Sequence, residues 1–167
     1  MLIISLHYKL IMKFSCAIML LTINSEEEDM IDHKITLGLS TIFKREYLRG
    51  TNTYTGTNAS LDYLLSTPEV LDIIIEASSN MLDPLLPEEY ITVGKYIELT
   101  HEQPTLTLAG QTISTVLTVI EITGNKILLD VSCHDDIGLI CRGKYERAIV
   151  KKDKLMDATY RRAQSNM

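Results

Sequence analysis

One histidine and one glutamate of this 167-residue chain are placed by the sequence pattern where they could move protons. His101 continues the alternating pattern of Ile91, Val93, Ile97 and Leu99, so it is expected on their inward-facing side at the end of a strand. Glu76 lies between Ile75 and Ala77 in the middle of a helical pattern. Imidazole and carboxylate groups are the usual acids, bases and nucleophiles of enzymes.

Each of these two residues also has a purely structural interpretation. His101 could hydrogen-bond a loop carbonyl, as many histidines in folded proteins do. Glu76 could belong to the solvent face of its helix. Types and spacing alone leave both interpretations open.

The helix that carries Glu76 is predicted from residue 67 to about residue 82. Thr67 is interpreted as its N-cap, Pro68 as its first residue, and Asp83-Pro84 as its end. Apolar residues cover most of its circumference, and only a narrow line of side chains is polar. That line consists of Glu69, Asp72, Glu76 and Asn80. Such a helix is expected to be wrapped by other elements.

Strand-like patterns supply that wrapping. One alternating run spans residues 33–44, and four later runs span residues 90–100, 106–122, 126–134 and 139–150. Short turns separate the last three runs, and such turns require antiparallel neighbours. Leu139, Cys141, Tyr145 and Ile149 share the inward parity of the last run. The sequence therefore predicts an α+β fold with one long helix in the concave face of an antiparallel sheet, closed by a short helix over residues 151–162.

The first 29 residues do not fit this pattern. They are apolar, but Lys9 and Lys13 interrupt them, and the uncharged run that follows is too short to span a bilayer. They also lack a signal-peptidase site. Residues 1–29 are therefore interpreted as an N-terminal extension, either a weak signal-like segment or leader sequence upstream of a true start at Met30. A single domain is predicted over residues 30–167.

Charge and cysteine content exclude several classes of function. The chain has 16 Lys+Arg against 22 Asp+Glu, a net charge of -6, and no basic stripe that could neutralise a row of phosphates. Neither a nucleic acid nor a membrane is expected as a partner. The three cysteines form no CxxC pair, so no metal site is expected, and a reducing, cytoplasmic location is predicted.

Several short segments resemble a known family when they are taken together in order. The resemblance runs from about Ile35 to Leu155. It is carried by residues 37–40 (LGLS), 61–62 (LD), 66–68 (STP), 75–77 (IEA), 93–94 (VG), 99–101 (LTH), 134–138 (HDDIG) and 143–147 (GKYER). This set resembles the hot-dog-fold thioesterases of the fluoroacetyl-CoA thioesterase-like type. The resemblance implies the hot-dog fold, a homodimer with its active site at the interface, and an acyl-CoA substrate without a further cofactor.

The resemblance also implies roles for four residues. In that family a helix-cap threonine, a mid-helix glutamate and a histidine at the end of the next strand form the catalytic set. Thr67, Glu76 and His101 match these positions, and Gly94, seven residues before His101, matches a glycine whose N–H lies near the thioester carbonyl. Thr67 lies nine residues before Glu76, whereas the family spacing is eight. Its assignment depends on a local adjustment of the helix.

The implied reaction is thioester hydrolysis, with Glu76 as base or nucleophile, His101 orienting or protonating, and the Gly94 N–H, alone or with Thr67, holding the oxyanion. Between Arg49 and Ser60 the loop has Tyr54 as its only aromatic residue, whereas the fluoroacetate-selective member uses aromatic gates. A generic acyl-CoA is therefore expected. A non-catalytic acyl-CoA-binding module and a hot-dog hydratase or dehydratase are the alternatives.

Overall fold

The computed structural model describes residues 31–51, 53–54 and 56–165. The interpretation of residues 1–29 as an extension therefore falls outside the described residues. The elements are β1 (Ser40–Glu46), α1 (Thr67–Leu82), β2 (Tyr90–His101), β3 (Thr112–Thr123), β4 (Lys126–His134), β5 (Leu139–Lys151) and α2 (Lys152–Gln164), with short 3-10 turns at Ala59–Leu61 and Asp83–Leu85.

The five strands form one antiparallel sheet in the order β1-β3-β4-β5-β2. Strands β3, β4 and β5 follow one another through tight turns, as predicted. The chain reaches the two edges, β1 and β2, by longer connections, and α1 lies between them in sequence. The predicted α+β architecture, one long helix packed on an antiparallel sheet, is confirmed.

The N-terminus of α1 differs from the prediction by one residue. Ser66 has extended backbone angles, and its hydroxyl accepts the Glu69 N–H at 3.4 Å. Ser66 is therefore the N-cap, and Thr67 is the first helical residue. This shift leaves the Thr67 hydroxyl free of a capping role.

The first strand starts later than its alternation suggests. A turn at Leu37 and Gly38 interrupts the run, and Gly38 has a φ of 81°, a left-handed conformation that glycine adopts without steric cost. Only Ser40–Glu46 pairs with β3. Likewise β3 begins at Thr112 because residues 106–111 form an irregular segment.

A bulge in β2 changes which residues face the helix. The register with β5 shifts between Gly94 and Tyr96. One extra residue reverses the alternation, so Thr92 is 4% exposed and shares the inward side with Ile97 and Leu99. The expectation that Ile91 and Val93 share that side is therefore wrong, whereas His101 lies beyond the bulge and keeps the predicted parity.

The core lies between α1 and the sheet. The buried residues of α1 are Val70, Ile73, Ile74, Ala77, Ser78 and Leu82. The wrapping is incomplete, because Ile75 is 47% exposed. Cys133 and Cys141 are both buried, as expected, and face each other across β4 and β5. Among the described residues, no helix has the length and apolar character needed to cross a membrane.

Candidate active site

Thr67 and His101 meet where the start of α1 crosses the end of β2. The Thr67 Oγ1 lies 3.1 Å from the His101 Nε2. This distance is within the range of a nucleophile and its base. Because Ser66 caps the helix, the Thr67 hydroxyl is available for this contact, and the two predicted site residues are brought together.

The environment of His101 favours its neutral form. Burial lowers the pKa of His101 below its ordinary value. A neutral imidazole can accept a proton from the Thr67 hydroxyl when its Nε2 carries no hydrogen. The pair is therefore suited to generate an oxygen nucleophile near neutral pH.

A second polar cluster lies at the opposite end of the α1–β2 contact. Asp83, just after α1, accepts hydrogen bonds from the backbone N–H and the hydroxyl of Thr92 at 2.9 Å and 2.6 Å. The helix and the strand are thus antiparallel neighbours. Gly94 lies seven residues from His101, or about 23 Å along an extended strand, and is on this distant side.

The surroundings of Gly94 are formed by β5. Gly94 pairs with Arg147 in the sheet, and a Cβ added to Gly94 would overlap the hydroxyl oxygen of Tyr145. Gly94 itself is exposed, whereas Tyr145 and Arg147 are 5% and 2% exposed. The Gly94 backbone is therefore exposed to solvent at the bulge, and the Tyr145 hydroxyl oxygen lies on the side of Gly94 where a Cβ would be.

Arg147 is the polar residue that the sequence interpretation missed. It donates through Nε to the Thr92 hydroxyl at 2.8 Å and through Nη2 to the Thr92 carbonyl at 2.7 Å. It also donates through Nη1 to Ser78 at 2.6 Å and through Nη2 to Ser79 at 2.9 Å. Arg147 shares the inward parity of Tyr145 and Ile149, which was the signal available in the sequence.

Glu76 faces a different side of α1. Its carboxylate pairs with Arg45 of β1, which also binds Asp72 at 2.8 Å and Glu69 at 3.2 Å. The Glu76 side chain is 47% exposed. Glu76 follows Thr67 by nine residues in a regular helix. This spacing places the two residues about 13 Å apart along the helix axis and on opposite faces of the helix.

Within one chain the structure therefore joins Thr67 to His101 and leaves Gly94 and Glu76 apart from them. Thr67 and the residues bound by Arg147 lie on the side of α1 that faces β2, whereas Glu76 lies on the side that faces β1. In the part of the chain that the structure describes, no three His, Cys, Asp or Glu side chains are grouped closely enough to hold a metal ion.

Comparison with known proteins gives a match to one family model. The family model described as "Fluoroacetyl-CoA-specific thioesterase" matches residues 50–153, which is more than half of the chain. That segment includes Thr67, Glu76, Gly94 and His101. A search of curated proteins by sequence finds no match.

Solved structures share the fold. A hot-dog-like protein of Thermanaerovibrio acidaminovorans has 25% identity and a TM-score of 0.69, covering 77% of this chain and 93% of its own. A thioesterase superfamily member of Thermus thermophilus has 24% identity and a TM-score of 0.65, covering 79% and 95%. The fluoroacetyl-CoA thioesterase FlK has 20% identity and a TM-score of 0.65, covering 77% and 96%. Another FlK structure contains fluoroacetate and CoA. The predicted hot-dog fold is confirmed.

Proposed function

Because this chain belongs to the fluoroacetyl-CoA-specific thioesterase family, we propose that it hydrolyses an acyl-CoA thioester to a free acid and CoA. The observation that carries the proposal is the 3.1 Å contact between the Thr67 Oγ1 and the His101 Nε2. It supplies a nucleophile and a base in hydrogen-bond contact. The reaction needs no metal and no cofactor beyond the CoA of the substrate.

The reaction begins with the Thr67 oxygen attacking the thioester carbonyl carbon while His101 Nε2 takes the hydroxyl proton. The carbonyl π electrons move to oxygen, and the resulting oxyanion is held by the Gly94 N–H. When the oxyanion collapses, the C–S bond breaks and His101 returns the proton to the thiolate. Water activated by His101 then cleaves the acyl–threonine ester. The role of Glu76 as base or nucleophile stays a prediction from the family resemblance.

A homodimer brings the separated groups together in this proposal. Strand β2 is a twelve-residue edge of the sheet and carries both Gly94 and His101. Unpaired edges tend to be covered by another strand, and a two-fold axis gives antiparallel pairing. If that axis lies between Ile97 and Glu98, Gly94 of one subunit is opposite His101 of the other. Two equivalent sites then form across the shared edge.

The dimer is tested by replacing outward-facing backbone donors of β2. The N–H groups of a strand point alternately to its two sides. Because the Glu102 N–H donates to Ile140 of β5, the N–H of Ile97 faces away from β5. We expect the unmodified chain to sediment as a dimer, and we expect proline at Ile97 to yield monomer because proline removes a backbone N–H and disfavours sheet pairing. Proline at Ile42 in the other edge strand, β1, is the matched control, since its N–H faces away from β3. A monomeric wild-type protein, or dissociation caused only by the β1 change, would contradict the β2 interface.

We propose that the substrate is a generic acyl-CoA rather than fluoroacetyl-CoA. The support is the loop between Arg49 and Ser60, in which Tyr54 is the only aromatic residue. This loop therefore offers few aromatic side chains that could gate the entry of a small fluorinated acyl group. Free, buried Cys133 and Cys141 fit the reducing cytoplasm expected for a CoA-dependent enzyme.

The experiment that tests the function is a thiol-release assay on the purified full chain. Short, branched and aromatic acyl-CoA substrates, with fluoroacetyl-CoA included, are followed for free CoA. We expect turnover of at least one acyl-CoA at a rate clearly above spontaneous hydrolysis. Binding of CoA without turnover of any thioester would instead favour the non-catalytic binding module.

A further inference from the structure

The hydroxyl of Tyr145 lies directly against Gly94, the residue whose N–H holds the oxyanion in the proposed reaction. A Cβ on Gly94 would be 3.1 Å from the Tyr145 Cζ and would overlap the hydroxyl oxygen itself. Glycine at this position thus permits a close approach between the β2 backbone and a phenol. The side chain of Tyr145 reaches this position from β5, where its own register partner in β2 is Ile97.

The Tyr145 hydroxyl accepts a hydrogen bond but donates none among the described residues. The Tyr145 oxygen accepts a bond from Arg147 Nη1 at 3.4 Å, and among the described residues no acceptor faces the hydroxyl hydrogen. Most buried polar groups have at least one hydrogen-bond partner, and the Tyr145 hydroxyl meets this requirement through its acceptor side alone. A buried phenol that uses only its acceptor side is therefore able to donate to a group that arrives at the exposed surface of Gly94.

Arg147 makes Tyr145 a better donor. Its guanidinium carbon lies 5.4 Å from the centre of the Tyr145 ring, and its nitrogens are fixed by Thr92, Ser78 and Ser79. A cation held beside the phenol oxygen polarises the O–H bond. Burial meanwhile raises the pKa of Tyr145, so the hydroxyl remains protonated at neutral pH.

We propose that Tyr145 is a catalytic residue that donates a hydrogen bond to the thioester oxygen together with the Gly94 N–H. This inference rests on the proposed thioesterase function and adds a residue to it. As the nucleophile bonds to the carbonyl carbon, negative charge develops on oxygen and the phenol hydrogen bond strengthens. No proton is transferred from Tyr145, which keeps its hydrogen when the C–S bond breaks.

The Gly94 N–H and the Tyr145 hydroxyl together would form a two-donor oxyanion hole. A preorganised pair of donors stabilises an oxyanion without reorganisation at the moment of reaction. The bulge at Gly94–Tyr96 exposes the Gly94 backbone at the point where it adjoins the Tyr145 hydroxyl. In the dimer proposed above, Gly94 and Tyr145 of one subunit serve the Thr67–His101 pair of the other.

The test compares Tyr145→Phe with Tyr47→Phe in the full chain, using the best acyl-CoA from the thiol-release panel. Both tyrosines are 5% exposed, but the Tyr47 hydroxyl donates to Glu69 at 2.7 Å on the β1 side. We expect Tyr145→Phe to lower kcat by about 10²–10³-fold, the usual cost of one oxyanion donor, with KM and the melting temperature nearly unchanged. Tyr47→Phe should leave kcat within about twofold of wild type.

A kcat for Tyr145→Phe within about twofold of wild type would overturn the proposal. If Tyr145→Phe fails to fold, 3-fluorotyrosine at position 145 keeps the ring and the hydroxyl while making it a stronger acid. A change in kcat at constant KM then supports donation, because general-acid and hydrogen-bond catalysis follow donor acidity, and an unchanged kcat refutes it. An inactive wild type, or an undiminished His101→Ala, would instead overturn the thioesterase function itself.

Discussion

Replacing His101 with alanine is expected to lower kcat/KM for the best acyl-CoA by about 10²–10⁴-fold, the usual contribution of a positioned general base. The variant removes the imidazole that is hydrogen-bonded to the Thr67 hydroxyl at 3.1 Å. The free energy of unfolding should change little in comparison, because His101 is only partly buried. Thiol release under saturating and limiting substrate separates kcat from KM.

Glu76→Gln is the matched comparison, since it removes the charge of the other predicted catalytic residue and keeps its size. Glu76 is half exposed, on the β1 side of α1, and is engaged by Arg45. We therefore expect kcat to fall by no more than a few-fold. A loss as large as that of His101→Ala would support the role of Glu76 as base or nucleophile and contradict a reaction carried by Thr67 and His101 alone.

Replacing Arg147 with methionine is expected to destabilise the fold by about 3 kcal/mol or more. The change leaves the Thr92 carbonyl and the buried Ser78 hydroxyl without their donor and the Asp83 carboxylate without the nearby positive charge of Arg147. Each buried unsatisfied polar group costs about 1–3 kcal/mol. Denaturant unfolding followed by far-UV circular dichroism measures the loss, since the chain has no Trp.

Arg45→Met provides the control for that measurement. Of the three carboxylates that contact Arg45, Asp72 and Glu76 are 66% and 47% exposed, and only Glu69, at 21%, is mostly buried. Exposed ion pairs contribute about 0–1 kcal/mol, so its unfolding free energy should change far less. Equal stabilities of the two variants would show that the Arg147 hydrogen bonds add nothing beyond those of a surface cluster.

Much of the fold follows from local pattern. The sequence pattern predicts the helix over residues 67–82 and the three hairpin-connected strands, because apolar residues repeat about every 3.6 positions in a helix and every 2 in a strand. The strand period also predicts the inward parity of His101. The capping residue and the start of β1 were less predictable. Ser66 and Thr67 are both good caps, and only the backbone angles decide between them.

The sequence by itself pointed to His101 and Glu76 as catalytic candidates, because residue type and spacing along one element are local properties, and the family resemblance added Thr67 and Gly94. The tertiary structure decided which candidates meet. Sheet order puts β1 on one side of α1 and β2 on the other, so Glu76 pairs with Arg45 while Thr67 contacts His101. It also decided that a bulge brings Gly94 against Tyr145 and buries Arg147. These contacts join residues about 30 to 70 positions apart, and their geometry depends on packing that no single segment encodes.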